Sequence, residues 1–304
     1  MATMILPPRS TQFLHNPYGS APGWWVERGG KIIVAMPGPP VETHPMWDDQ
    51  VAPRLRQMVT GQITLTRNIK TMGLSEAAVD EKIAECFGQT NPYLGIYSKA
   101  DGIHLRMIAR AYDTAAAQAL IAPMEEALMT RLAPYVWGYD NETPEQAVGT
   151  LLKARGLTLA TMESGTGGYL ANTITEVPDS AMYFTGGVVA SSPLMPLAYG
   201  VPAEVLQQHG TVSQQSAVAM AQAIRSRLGT DFGIGITGVP GPQAMEGQPV
   251  GLAYFAIASA NTVHVEEMRV SPRRMTLKRR VSNAALIALS KLLRGERDAK
   301  GYNW

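Results

Sequence analysis

The sequence is poor in the side chains that hold metals or form cross-links. It has one cysteine, Cys86, in 304 residues, which excludes a disulfide framework and a cysteine-based zinc site. None of its five histidines pair at metal-ligand spacing, so we expect no metal site. We expect Cys86 itself to fill apolar space on a helix rather than to act in redox chemistry.

The sequence also lacks an excess of charge of one sign and long apolar runs. The net charge is +1, so no basic field favours nucleic acid as a partner. The N-terminal stretch has no basic region followed by an apolar segment, as a signal peptide would. No window reaches the roughly 18 apolar residues of a membrane helix. With 45% hydrophobic and 17% charged residues, the chain can bury real cores, and we expect a cytoplasmic protein without membrane contact.

The first of three predicted domains covers residues 1–60. A short buried strand is predicted at 31–36 and a helix at 41–59, whose regularity Pro45 and Pro53 limit. The glycine- and proline-containing stretch 18–25 is typical of a loop. Because one strand and one helix do not make a core, we interpret this piece as the end of a larger domain.

The second predicted domain, residues 61–140, has the element order βαββαβ. The alternating run 63–69 indicates a strand, Ser75 is a good N-cap for the next helix, and an Asp-Gly pair at 101–102 predicts a hairpin. A long helix over 114–132 and a last strand at 135–137 complete the order. This order is that of a split βαβ, ferredoxin-like module, which is typical of a scaffold or docking unit.

The third predicted domain, residues 141–304, is an α/β sandwich with one sheet and helices on its faces. Thr143 and Pro144 occupy the N-cap and N1 positions of its first helix. Helices are predicted at 144–155, 166–175, 213–228 and 273–294, and strands at 157–161, 186–190, 232–236, 251–258 and 262–269.

One short stretch could carry chemistry, because Ser164, Thr166 and glycines lie where a strand ends and a helix begins. A serine there can present its hydroxyl beside backbone N–H groups that suit an oxyanion or a phosphate. Gly165, Gly167 and Gly168 let the backbone approach a ligand closely. The alternative is turn chemistry, in which Ser164 or Thr166 merely caps the helix.

Three further segments each allow a functional and a purely structural interpretation. Thr237–Pro242 is a glycine-rich loop after a buried strand, where α/β sheets bind ligands, or a surface loop stiffened by proline. The basic run 273–280 could grip a phosphate, or it could be a solvated helix face. His209 could be a general base, although a lone histidine before a loop is more often structural.

Five short motifs follow one another in the second half of the chain: Met162–Gly168 (MESGTGG), Tyr183–Val189 (YFTGGVV), His209–Ser213 (HGTVS), Gly238–Pro242 (GVPGP) and Gln248–Gly251 (QPVG). In this order they resemble the motifs of the CinA family of competence- and damage-inducible proteins. The likeness covers about residues 143–294 and extends upstream to the segments 16–23 and 37–40, which resemble the end of the family's molybdopterin-binding-like domain.

The resemblance implies a three-layer α/β domain that hydrolyses nicotinamide mononucleotide to nicotinate mononucleotide and ammonia, in pyridine nucleotide salvage. Ser164 takes the role of the nucleophile. No cofactor or metal is implied, and a homo-oligomer is expected. The residues implied in substrate binding are Thr166, Gly167, Gly168, Gly187, Thr237, Gly238, Gly241 and the phosphate-facing Arg274 and Arg279.

The sequence departs from the family in places that matter for activity. The opening of the family's first domain is absent, so we expect either an earlier gene start or a decayed domain, and its pyrophosphatase activity is not carried over. The family has a tyrosine and a lysine after the GGVV motif, where this chain reads Ala190–Pro196 with Ser191 at the tyrosine position. Gly165 replaces a cysteine. The sequence therefore favours an amidase with Ser164 as nucleophile, whose activity the loss of the tyrosine and the lysine impairs, with an inactive nucleotide-binding or structural protein as the alternative.

Overall fold

A computed structural model describes residues 11–58 and 61–295 of the chain. Contacts divide the chain into two compact units, residues 1–63 with 111–113, and the remainder. The described part has a mixed α/β fold with sheets of three, four and five strands. The boundaries at residues 60 and 140 that the sequence suggests for three domains stay a prediction.

The first unit contains an antiparallel sheet that the sequence analysis did not foresee. Its strands are β1 (Thr11–Leu14), β2 (Gly23–Arg28) and β3 (Lys31–Ala35), in that order. The interpretation of residues 18–25 as a loop is therefore wrong at its end, where Trp24 and Trp25 belong to β2. Gly29 and Gly30 both have positive φ, which is the geometry that a two-residue hairpin turn requires.

A helical segment covers this sheet and gives the unit a small core. Helix α1 (Pro40–Met46) continues through a π-helical turn at Trp47–Val51 into α2 (Ala52–Met58). The irregular turn lies between two prolines, which cannot donate to a regular helical ladder. Leu14, Trp25, Met46 and Val51 are buried together, so the expectation that this piece forms no core is wrong.

The second unit begins with the predicted βαββαβ order. Its elements are β4 (Ile63–Thr71), α3 (Glu76–Lys82), β5 (Tyr93–Lys99), β6 (Gly102–Ala111), α4 (Thr114–Leu132) and β7 (Val136–Tyr139). The sheet order is β5-β6-β4-β7. Ser75 accepts a hydrogen bond from the Ala78 N–H, as an N-cap does, and Cys86 is buried in a short 3₁₀ turn rather than on a helix.

The rest of the unit is a sheet with helices on both faces. Its helices are α5 (Pro144–Arg155), α6 (Tyr169–Thr175), α7 (Leu194–Ala198), α8 (Ala203–His209), α9 (Gln214–Leu228) and α10 (Arg274–Arg294). Its strands are β8 (Leu159–Glu163), β9 (Phe184–Val189), β10 (Phe232–Gly238), β11 (Leu252–Ala258) and β12 (Val263–Arg269). The short helices α7 and α8 were not predicted, since each is too short to show a helical period.

The sheet order β12-β11-β10-β8-β9 places β8 at the centre of a parallel trio. Helices α5, α6 and α10 bury apolar residues against one face, and α9 packs on the other. Gly233 and Gly235 let α9 approach closely, because a Cβ at Gly235 would overlap the Ala217 carbonyl oxygen. The result is the three-layer arrangement that the sequence predicted.

The far end of α10 is attached to the middle module. The Lys291 ammonium donates to the Pro134 carbonyl at 2.9 Å, and Arg294 donates to the Trp137 carbonyl at 3.2 Å. Both cations lie in the last turn of α10, where positive charge is favourable. The start of the same helix lies at the candidate site.

Candidate active site

The candidate site forms where the carboxyl ends of β8, β9 and β10 meet. These neighbouring strands are parallel, so the loops that follow them lie at one edge of the sheet. Ser164 follows β8 directly, and its N–H donates to the Ile236 carbonyl of β10 at 2.9 Å. The Ala190 N–H, just after β9, donates to the Glu163 carbonyl at 2.6 Å.

The loop after β8 presents Ser164 on a tight turn. The Gly167 N–H donates to the Ser164 carbonyl at 3.0 Å, and Gly167 and Gly168 have φ values of 61° and 87°. A side chain is disfavoured at such φ angles, which explains the two glycines. Ser164 is half-buried, and its hydroxyl makes no hydrogen bond within residues 11–58 and 61–295.

Glu163, rather than Ser164 or Thr166, caps helix α6. Its carboxylate is almost fully buried, with 1% exposed, and accepts from the N–H groups of Leu170 at 3.0 Å and Ala171 at 2.8 Å. The Thr166 hydroxyl also donates to this carboxylate at 2.7 Å. A negative charge is favoured at a helix N-terminus, so the capping alternative for Ser164 is wrong and its hydroxyl stays available.

This capping role of Glu163 was not predicted from the sequence. The acid stands next to the serine in the MESGTGG motif, but six residues before the start of the helix. Ordinary capping patterns place the cap directly at the helix start, so spacing alone did not point to Glu163. The signal was an acidic residue at the end of a fully buried strand.

The loop after β10 packs against the serine loop, backbone to backbone. A Cβ placed on Gly165 would lie 2.9 Å from the Gly238 carbonyl oxygen, closer than real Cβ contacts come. Glycine at position 165, where the family has cysteine, therefore fits this close approach. The structure brings Gly238 directly beside the turn that carries Ser164.

Side chains deeper in the β10 loop hold it in place. The buried Thr237 hydroxyl donates to the Thr211 carbonyl at 2.6 Å, so it is occupied within the protein. The Glu246 carboxylate accepts from both the N–H and the hydroxyl of Thr211 at 2.7 Å. His209 ends helix α8 nearby in sequence and is exposed.

The cationic side chains at the start of α10 contact two different parts of the protein. Arg274 donates to the Gly241 carbonyl, and Lys278, one turn later, reaches the serine loop. Its Nζ lies 3.2 Å from the position that a Cβ on Gly167 would take. Arg279 and Arg280 instead line a groove with Ser98–Ala100 of the middle module. Lys278 is thus the cation of this helix that lies beside Gly167, and the phosphate-binding role of Arg279 stays a prediction.

Gly187 lies away from the strand ends, within β9 and opposite Thr161 of β8. A Cβ there would overlap the Thr161 hydroxyl, so the glycine serves the packing of these strands. The following residues, Ser191 and Ser192, are exposed at the same edge as Ser164. No side chain from this segment resembles the family's tyrosine or lysine.

No group of three or more His, Cys, Asp or Glu residues that could hold a metal ion occurs within residues 11–58 and 61–295. In the same part of the chain, no helix is long and apolar enough to cross a membrane.

Comparison with known proteins gives the family. A model of the CinA C-terminal domain matches residues 141–293, and a model of the damage-inducible protein CinA KH domain matches residues 66–138. The chain belongs to the CinA family. The middle segment, expected from its element order to be a ferredoxin-like module, is thus the part that matches the KH domain model.

Individual relatives have names of the same kind. A competence-damage inducible protein of Desulforudis audaxviator is 39% identical over 92% of this chain and 68% of its own length. A CinA-like protein of Gloeobacter violaceus is 38% identical over 88% of this chain and 64% of its own length.

Among solved structures, a competence or damage-inducible protein of Enterobacter asburiae is 27% identical, with a TM-score of 0.48. The match covers 50% of this chain and 99% of that one.

Proposed function

We propose that the C-terminal domain hydrolyses the carboxamide of nicotinamide mononucleotide, with Ser164 as the nucleophile. The observation that carries the proposal is the convergence at one sheet edge of a serine with an unoccupied hydroxyl, two glycine-rich loops and the cations Arg274 and Lys278. Acyl transfer needs a nucleophile, oxyanion donors and substrate contacts within one pocket. The family resemblance selects the pyridine mononucleotide among possible amides.

Backbone donors support a role in stabilising an oxyanion. Gly165 and Thr166 are buried, yet their N–H groups have no hydrogen-bond acceptor within the described part of the chain. Buried N–H groups are nearly always paired, so donors beside a nucleophile fit a substrate oxygen. A preorganised donor of this kind typically contributes about 10²–10³ in rate.

The cations and glycines fit the rest of a mononucleotide. A guanidinium binds phosphate with charge-assisted hydrogen bonds, and Arg274 lies beside the Gly241 loop. Gly167, Gly168, Gly238 and Gly241 leave room for close backbone contact with the ligand. The proposal includes a cytoplasmic homo-oligomer in pyridine nucleotide salvage that needs no metal or cofactor and binds neither nucleic acid nor membrane.

A second candidate is a protein that binds the nucleotide without turning it over. The specific observation in its favour is the segment after β9, where exposed Ser191 replaces the family tyrosine and no lysine occurs. Losing a general base typically reduces the rate by about 10²–10⁴.

Ammonia release from nicotinamide mononucleotide decides between these candidates. We expect turnover by the wild type, none by Ser164→Ala, and no change in Ser192→Ala, which removes an exposed hydroxyl from the neighbouring loop. Calorimetry on the same proteins reports binding. Binding without ammonia in the wild type would replace the amidase with the binding protein, and turnover that survives in Ser164→Ala would remove Ser164 from the mechanism.

A further inference from the structure

A serine nucleophile needs a base to take its proton, and the loop after β9 does not supply one. We propose that Lys278, on helix α10, is the general base for Ser164. The inference deepens the proposed amidase function and rests on it. It assigns the role to helix α10 rather than to the segment after β9, where the family's lysine stands.

The position of Lys278 is set by anchored neighbours. Leu277, the preceding residue, is buried in the core against the sheet, and Arg274 ties the first turn of α10 to the Gly241 carbonyl. The Lys278 Nζ is therefore held beside Gly167, 3.2 Å from the position of a Cβ there. Gly167 and Ser164 belong to one turn, since the Gly167 N–H donates to the Ser164 carbonyl at 3.0 Å, so the amine lies beside the turn that carries the nucleophile.

The Lys278 amine is also unoccupied. The side chain is half-buried, and its Nζ makes no hydrogen bond or ion pair with any residue in the described ranges. Its neighbour Arg280, by contrast, is exposed along the groove with Ser98–Ala100. An amine without a partner beside the loop that carries the nucleophile is suited to act on a substrate.

Other ionisable groups around the serine loop are unsuited to the role. Both oxygens of the Glu163 carboxylate accept hydrogen bonds that hold helix α6, so its lone pairs are in use. Arg274 has a guanidinium, which does not give up its proton in proteins. Lysine, in contrast, serves as a general base in enzymes when its amine is uncharged.

The proposed reaction has two stages. The Lys278 amine takes the proton of the Ser164 hydroxyl while Oγ attacks the carboxamide carbon, and the carbonyl becomes an oxyanion. The oxyanion collapses, the C–N bond breaks, and the leaving nitrogen takes the proton from Lys278 to depart as ammonia. Water then attacks the ester, again giving its proton to Lys278. The ester C–O bond breaks, Ser164 recovers a proton, and the acid is released.

The role of Lys278 can be tested by chemical modification of a cysteine introduced at this position, because the chain has only one native cysteine. Lys278→Cys removes the amine, and alkylation with 2-bromoethylamine restores one of nearly the same length. The native Cys86 is buried, with 7% exposed, so the new thiol reacts preferentially, and mass spectrometry checks this. We expect kcat for ammonia release to fall by about 10²–10⁴ in Lys278→Cys and to recover at least tenfold after alkylation. Arg280→Ala, which removes a cation from the same helix, should change kcat by less than twofold.

Lys278→Arg separates a base from a cation, because arginine keeps the charge but cannot accept a proton. We expect it to be as inactive as Lys278→Cys. An active Lys278→Arg, or a Lys278→Cys variant within twofold of the wild type, would overturn the base role and leave the amidase proposal standing. Absence of ammonia in the wild type would instead end the amidase proposal, and the base role with it.

Discussion

The two sides of the candidate site differ in how firmly the fold holds them. On one side, β8 and β10 are buried along their whole lengths, and their loops pack backbone to backbone at Gly165 and Gly238. On the other side, β9 is an edge strand with alternating exposure, followed by the exposed serines at 191 and 192. The core therefore fixes the loop that carries the nucleophile, and leaves the β9 segment freer.

This difference fits the loss of the family's tyrosine and lysine in the exposed segment after β9. A change in the buried loops disturbs the packing of the sheet. Substitution of the glycines or of Glu163 would therefore lower the stability of the fold as well as any activity. A change in an exposed segment rarely alters the free energy of unfolding by more than about 0.5 kcal/mol. The tyrosine and lysine after β9 could thus be replaced without loss of the fold. Activity would then require another group to act as the general base.

The largest expected effect on stability is at Glu163. Glu163→Ala leaves the N–H groups of Leu170 and Ala171 without their acceptor, and we expect the free energy of unfolding to fall by about 3 kcal/mol. Urea denaturation followed by circular dichroism measures it. Glu163→Gln keeps one accepting oxygen and should lose about half as much. A loss below about 0.5 kcal/mol in Glu163→Ala would show that the β8 side is not held as firmly as its contacts indicate.

A smaller effect is expected from restoring the family's cysteine. Gly165→Cys places a Cβ 2.9 Å from the Gly238 carbonyl oxygen, so the two loops must separate. We expect the free energy of unfolding to fall by about 1–3 kcal/mol, measured in the same urea experiment. Gly165→Ala is the control, since an equal loss assigns the effect to the Cβ rather than to the sulfur. Unchanged stability in both variants would mean that the loops adjust freely.

Much of this fold could be predicted from local patterns. Buried runs at 232–236 and 251–258 and the caps at Ser75 and Thr143 identified their elements to within a few residues. The small sheet of the first unit could not, because a glycine- and proline-rich stretch hid Trp24 and Trp25 of β2. Elements of four to six residues carry too few positions to establish a period.

Some residues of the candidate site could likewise be predicted from local sequence, whereas others depend on tertiary packing. Ser164 and the glycine loops follow directly from buried strands, so the sequence placed them at one sheet edge. Lys278 could not be assigned from the sequence, since its approach to Gly167 depends on how α10 packs across the sheet. Arg279, next to it, turns toward the middle module because successive helical residues point about 100° apart.

The smallest expected effect tests the exposed side of the comparison through two adjacent residues. Ser191→Tyr restores the family side chain at an exposed position, and we expect the free energy of unfolding to stay within about 0.5 kcal/mol of the wild type. Ala190→Tyr is the matched control, because Ala190 is 3% exposed and packs in the core with Met220 and Ile224. Overpacking there should cost about 1–3 kcal/mol in the same urea experiment. Equal losses at the two positions would show that Ser191 is as constrained as the buried Ala190, and the segment after β9 could then no longer be called the free side of the site.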